Sequence, residues 1–196
     1  MAGHFGSDPL LEVVSVDVVD ERVVKNGYEF QLVDDVVLPF DDASFDVVVS
    51  NHVIEHVGAR DSQLTHLKEI HRVMAASGVG YLALPNRWAL IEPHFRIPFL
   101  SWLPESWRSR YLGAFRKGDH YDCRPLGYRE LNQMLRNAGL GFEHLEVEAL
   151  RMVGETEEAS ILATGASRVP DSLLAAIKPI SPTLVCVLFP DNGPSP

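Results

Sequence analysis

Residues 38–57 read LPFDDASFDVVVSNHVIEHV, Leu38 to Val57. The stretch reads as a loop, a strand, a second loop and the start of a helix. Asp41, Asp42, Ala43 and Ser44 are turn residues. Phe45-Asp46-Val47-Val48-Val49 is rich in β-branched side chains and almost continuously apolar after Asp46. Strands of a parallel sheet covered on both faces have this character. Ser50-Asn51-His52 then breaks the run, and Val53, Ile54 and Val57 alternate with Glu55 and His56 in a helical rhythm. In open α/β sheets ligands bind at the carboxyl ends of the strands. The Asn, His, Glu and His of this stretch are therefore expected at the chemical edge of a doubly wound sheet.

Working outward, Leu11 to Val19 (LEVVSVDVV) and Tyr28 to Val33 are strands by length and β-branched content, and each runs into acids, Asp17 in the first and Asp34-Asp35 after the second. Arg60 to Ala75 has the stripe Leu64, Leu67, Ile70, Val73, Met74 of an amphipathic helix, which Asp61 or Ser62 could cap. His66 and His71 on it read as surface or satisfied core histidines. Ala76-Ser77-Gly78 is a stop, and Val79 to Pro85 is the next strand. Gly127 to Ala138 is a helix ended by Gly139, Phe142 to Leu150 a strand, and Glu155 to Ile177 a helical stretch broken at Gly165 and Pro170. Thr183 to Phe189 (TLVCVLF) is a closing strand too short to span a bilayer. Met1 to Pro9 is small, polar and Gly-rich and reads as loop or disorder.

Residues 87–126 are long for a connection and should carry structure of their own. The segment interleaves aromatics such as Trp88, Trp102, Trp107 and Tyr121 with arginines. A short helical lid over the strand ends and a flap completing the core fit it equally.

The 196 residues suffice for one α/β domain. A net charge of -10 argues against nucleic acid or an anionic membrane surface as the main partner. Cys123 and Cys186 lie far apart without metal-ligand spacing, so a disulfide framework is not expected and a reducing cytoplasm is. No apolar run approaches the roughly 20 residues of a membrane span.

A strand ending in Asp, then LPF, an acidic turn, FDVVVS and an EHV start resemble the class I S-adenosylmethionine-dependent methyltransferases, in their small-molecule, type 11 branch with the ubiquinone and menaquinone biosynthesis enzymes. The resemblance is close over Leu11 to Asn86 and loose beyond. It implies an α/β, doubly wound Rossmann-like sheet, mostly parallel with an antiparallel C-terminal strand, forming a single domain over 1–196 with the 87–126 lid and a disordered tail at 190–196. It implies S-adenosyl-L-methionine as cofactor. Asp17 would take both ribose hydroxyls, with Asp20 or Glu21 as substitutes, Asp34 the adenine amino group and the Asp35 backbone N–H a ring nitrogen; Asn51 completes the cofactor set. The acceptor would be a small molecule, an aromatic ring, a sugar or a lipid-like molecule, methylated on oxygen, nitrogen or carbon. His52 is the first candidate for a catalytic base; His94, His120 and Tyr121 follow.

Two departures matter. The family's first strand and its glycine-rich loop have no clear counterpart; Gly3 and Gly6 are the remaining candidates for the loop. The alternative expectation is therefore a truncated, non-catalytic fragment acting as a binding or partner module. A nicotinamide-binding Rossmann domain would need a Gly-x-Gly-x-x-Gly turn, which is absent. Second, the ubiquinone-pathway enzymes hold a divalent metal with two acids and a histidine at positions matching His52, Glu55 and His56. His52 in place of an acid reads against that site, so no metal is assigned.

Overall fold

Runs of β-branched residues that alternate with helical stripes need a sheet with helices against it, since each stripe buries one face. A computed structural model describes residues 1–154 and 178–191. Two compact units emerge, Met1–Phe40 and Asp41–Pro196.

The first unit holds α1 (Ala2–Phe5), β1 (Val14–Asp17) and β2 (Glu29–Leu32). β1 and β2 pair in parallel, with Asp17 opposite Leu32. The expected loop at Met1 to Pro9 is thus partly a one-turn helix. It ends at Gly6, where a Cβ would lie 2.2 Å from the carbonyl oxygen of Gly27. The close pass of two backbones accounts for this glycine.

The second unit contains β3 (Phe45–Asn51), α2 (Arg60–Val73), β4 (Met74–Pro85), α3 (Glu105–Ala114), α4 (Tyr128–Asn137), β5 (Leu140–His144), α5 (Glu146–Gly154) and β6 (Thr183–Pro190). Its sheet has the order β3-β4-β6-β5. β3 and β4 are parallel, while β6 runs antiparallel to both β4 and β5. β3, β4 and β5 therefore point the same way, and their carboxyl ends share one edge. The fold is the expected α/β arrangement, largely parallel with an antiparallel C-terminal strand.

α2 and α4 pack on this sheet. Leu67 and Ile70 of α2, Leu131 and Leu135 of α4, and Leu82 and Leu188 of the strands are at most 2% exposed. The apolar stripes predicted on both helices are the buried faces. Residues 87–126 build a second cluster, in which Ile97, Leu100, Leu112, Tyr121 and Cys123 pack together. The segment has a core of its own, as its length suggested.

Three local expectations are corrected. Residues 53–57 form a turn, and the helix begins at Arg60 with Ala59 as its N-cap, without a side-chain cap from Asp61 or Ser62. Ala76-Ser77-Gly78 does not stop the chain: β4 starts at Met74 and absorbs these residues in a register shift against β3 between Phe45 and Val47. The expected strand 142–150 divides into β5 and α5. Glu146, Glu148, Ala149 and Leu150 favour helix, and their propensity prevails once β6 ends its pairing with His144. The stretch 155–177 and the tail from 192 lie outside the described residues.

His66 links α2 to β3, its Nε2 lying 3.0 Å from Ser50 Oγ. Burial holds this imidazole down at about 4, against a smaller upward pull from Glu55. Between pH 6.5 and 4 the unfolded chain takes up a proton that folded His66 refuses, so stability is full above 6.5 and falls as pH drops through this window. The loss is expected to reach at most about 3 kcal/mol. Denaturant unfolding across pH 4–7 should show a shallower acid limb in His66→Gln.

Candidate functional site

The carboxyl ends of the strands carry the polar residues. In the first unit Asp17 is the last residue of β1, and its Oδ1 accepts the N–H groups of Val18 at 2.7 Å and Val19 at 3.4 Å. Asp34 and Asp35 follow β2, so all three acids stand at one end of a parallel pair. Asp35 Oδ1 accepts the Val36 N–H at 2.6 Å. Asp20 is engaged elsewhere: Arg22 Nε lies 2.8 Å from its Oδ1, and that guanidinium holds the carboxyl far below the usual range.

In the second unit Asn51 closes β3, paired with Ala83. His52 follows with φ 55°, a left-handed conformation that a non-glycine residue rarely takes. Its N–H still donates to the Ala83 carbonyl at 2.8 Å. The chain then turns, and Glu55 is carried into the interior with a side chain 0% exposed. His52 Nδ1 lies 3.3 Å from Glu55 Oε1, His94 Nε2 3.6 Å and His56 Nε2 3.9 Å. Neither carboxylate oxygen of Glu55 accepts a hydrogen bond. The contact with Glu55 raises the His52 imidazole above the ordinary histidine value; partial burial opposes this, and the charges of Glu55 and Glu92 add to it.

Sequence periodicity could not explain how the 52–57 turn is held. Gln63 of α2 is fully buried. Its Nε2 donates to the carbonyls of Ile54 and Arg124, each at 2.9 Å, and its Oε1 accepts from Arg60 Nη1 at 2.6 Å. The Arg124 N–H in turn donates to the Glu55 carbonyl at 2.8 Å. The turn is thus tied to both α2 and the end of the 87–126 segment.

That segment supplies further residues of the cluster. His94 was a secondary base candidate; the structure places it on the Glu55 cluster, edge-on to His52 and His56 with ring centroids 5.5 and 5.8 Å away. Glu92 is 1% exposed and faces His94 Nδ1 at 2.9 Å. Cys123 Sγ lies 3.9 Å from His56 Nε2. Both cysteines are free thiols. The only available sequence signal was the Glu-Pro-His run at 92–94, which no spacing rule marks. Tyr121 is an unsuitable base: burial pushes its phenol far above the usual value. Asn86 serves structure, its Nδ2 donating to the Pro179 carbonyl and its Oδ1 accepting the Trp88 N–H.

Gln63→Leu keeps the bulk but leaves the carbonyls of Ile54 and Arg124 without this donor. Each unsatisfied buried group costs about 1–3 kcal/mol. Urea unfolding should show a loss of that order, with the ring signals of His52 and His56 displaced in NMR spectra.

Residues 5–82 match the family model of a methyltransferase domain. No curated protein matches the chain. Among solved structures, an S-adenosylmethionine-dependent methyltransferase from Thermotoga maritima is 17% identical, with 97% of this chain and 78% of that chain covered and a TM-score of 0.53. A TehB-like S-adenosylmethionine-dependent methyltransferase from Corynebacterium glutamicum gives 14%, 96%, 73% and 0.52. A chain of the complex between the Haloferax volcanii Trm112 methyltransferase activator and a methyltransferase gives 18%, 91%, 72% and 0.52. At such identities the likeness speaks for the fold. The match of residues 5–82 to a methyltransferase domain and the shared fold agree with the resemblance to the class I S-adenosylmethionine-dependent methyltransferases.

Proposed function

We propose that the chain transfers a methyl group from S-adenosyl-L-methionine to a small-molecule acceptor. The observation that carries this reading is the pair of acids, Asp17 and Asp34, at the carboxyl ends of two parallel strands within the segment matched as a methyltransferase domain. A carboxylate suits two neighbouring ribose hydroxyls, and a second suits an amino group on adenine. Asp35 offers its backbone N–H to a ring nitrogen, and Asn51, the last residue of β3, is the remaining cofactor candidate. Gly6 does not add to this set, because the Gly27 backbone fills the space beside it.

The cofactor supplies an activated methyl group; the protein aligns it with the nucleophile. His52 at the end of β3 is the group we assign to the acceptor's proton, on its position at the ligand edge of the sheet. Trp88, Phe99 and Trp107 of the 87–126 segment are 44%, 47% and 65% exposed, and they favour an aromatic, sugar or lipid-like acceptor over a strongly charged one. The net charge of -10 disfavours nucleic acid. Among the described residues no helix is long and apolar enough to cross a membrane. We place the reaction in the cytoplasm, where Cys123 and Cys186 would stay reduced.

Calorimetric titration with S-adenosylhomocysteine should show micromolar binding that weakens at least tenfold (about 1.4 kcal/mol) in Asp17→Ala and in Asp34→Ala. A folded chain that binds none would overturn the reading and return the non-catalytic fragment.

A further inference from the structure

The cluster around Glu55 has a feature that methyl transfer does not require. Its carboxylate is completely buried, both oxygens lack a hydrogen bond, and three imidazoles converge on Oε1. A buried carboxylate is costly unless a cation or donors compensate it.

The His94 contacts sharpen the point. The buried Glu92 carboxylate, 2.9 Å from Nδ1, selects the tautomer with the proton on that nitrogen. A neutral His94 then presents the Nε2 lone pair to Glu55 Oε1 at 3.6 Å. Two acceptors facing each other need a proton or a metal cation between them. A carboxylate behind a histidine that aims its other nitrogen inward is the usual support of a metal ligand.

The spacing agrees. Ligand bonds of about 2.0–2.1 Å put neighbouring donors of a tetrahedral site roughly 3.3–3.4 Å apart. The observed separations from Glu55 Oε1 are 3.3, 3.6 and 3.9 Å. The donor atoms of His52, Glu55 and His94 lie within 4.8 Å of one another, as do those of His56, His94 and Cys123. The imidazoles of His52, His56 and His94 keep 33%, 40% and 29% exposure, so an ion can reach them from solvent while the carboxylate behind stays dry.

We propose that Glu55, His52 and His94 bind a divalent metal of the zinc class, and that Glu92 orients His94 for it. The nitrogen-rich set favours zinc or cobalt over magnesium, which prefers oxygen. The donor set draws on the 87–126 segment, so binding would also pin that segment to the end of β3. In the loaded chain His52 Nδ1 is a ligand, and the proton-accepting role assigned above belongs to the metal-free form. The inference does not depend on methyl transfer, since metal binding is read without cofactor or acceptor.

The test is titration of the chelator-stripped full chain with Zn2+ by calorimetry, with the visible spectrum of Co2+ as a second readout. One equivalent is expected to bind and give a tetrahedral Co2+ spectrum. His94→Gln and Glu55→Gln should each weaken Zn2+ at least tenfold and abolish the Zn2+-dependent rise in melting temperature. Glu92→Gln should weaken it less, and His71→Gln, distant in role, should leave it unchanged. Circular dichroism reports whether each variant folds. The proposal is overturned if the folded wild-type chain shows no saturable Zn2+ binding, if folded His94→Gln and Glu55→Gln bind as tightly as wild type, or if Mg2+ binds as tightly as Zn2+. S-adenosylhomocysteine binding, measured separately, succeeds or fails independently of these outcomes.

Discussion

A carboxylate taken out of water must find compensation close by, and Glu55 is the point where this constraint falls in the second unit. The residue follows a parallel strand by only four positions, and the turn that carries it inward is held by polar contacts to the backbone. Gln63 reaches two carbonyls from α2, and the Arg124 N–H returns to the Glu55 carbonyl. These bonds bring β3, α2 and the end of the 87–126 segment to one place. The imidazoles of His52, His56 and His94 then surround an oxygen that the backbone has already fixed.

Rigid support beneath and partial exposure above suit a chemical site. The apolar core lies under the turn, where Ile54 packs with Leu67 of α2 and Leu126 at the end of the insertion. The insertion keeps a separate cluster around Leu100 and Leu112. It therefore reaches the site as a folded piece with its own packing, carrying Glu92 and His94 together. The left-handed backbone at His52 costs of order 1 kcal/mol or more, and such strain at a strand end commonly accompanies function.

Much of the fold was legible because hydrophobic period survives in a single chain. The stripes at Leu67, Ile70 and Val73 and at Leu131, Met134 and Leu135 named the buried faces of α2 and α4. The runs at 45–49 and 183–189 named strands. The errors fell where local signals competed. HVIEHV has a helical rhythm, yet the strained residue after β3 and the clamp from Gln63 impose a turn. FEHLEVEAL alternates like a strand at first, but its glutamates, alanine and leucine favour helix once pairing with β6 ends. Met74 satisfied the stripe of α2 and is buried as expected, though as the first residue of β4.

The sequence alone determined the class of architecture, the acids at the ends of β1 and β2, and the His-Glu-His stretch after β3, because these depend on period, on turn chemistry and on residues near one another in the chain. Only the tertiary structure decided that Glu55 is dry and without a hydrogen bond, that Glu92, His94 and Cys123 join it from a segment dozens of residues away, and that Asn86 and His66 serve packing. Burial and convergence are properties of the folded surface. No local spacing encodes which distant side chain will stand 3.6 Å from a given oxygen.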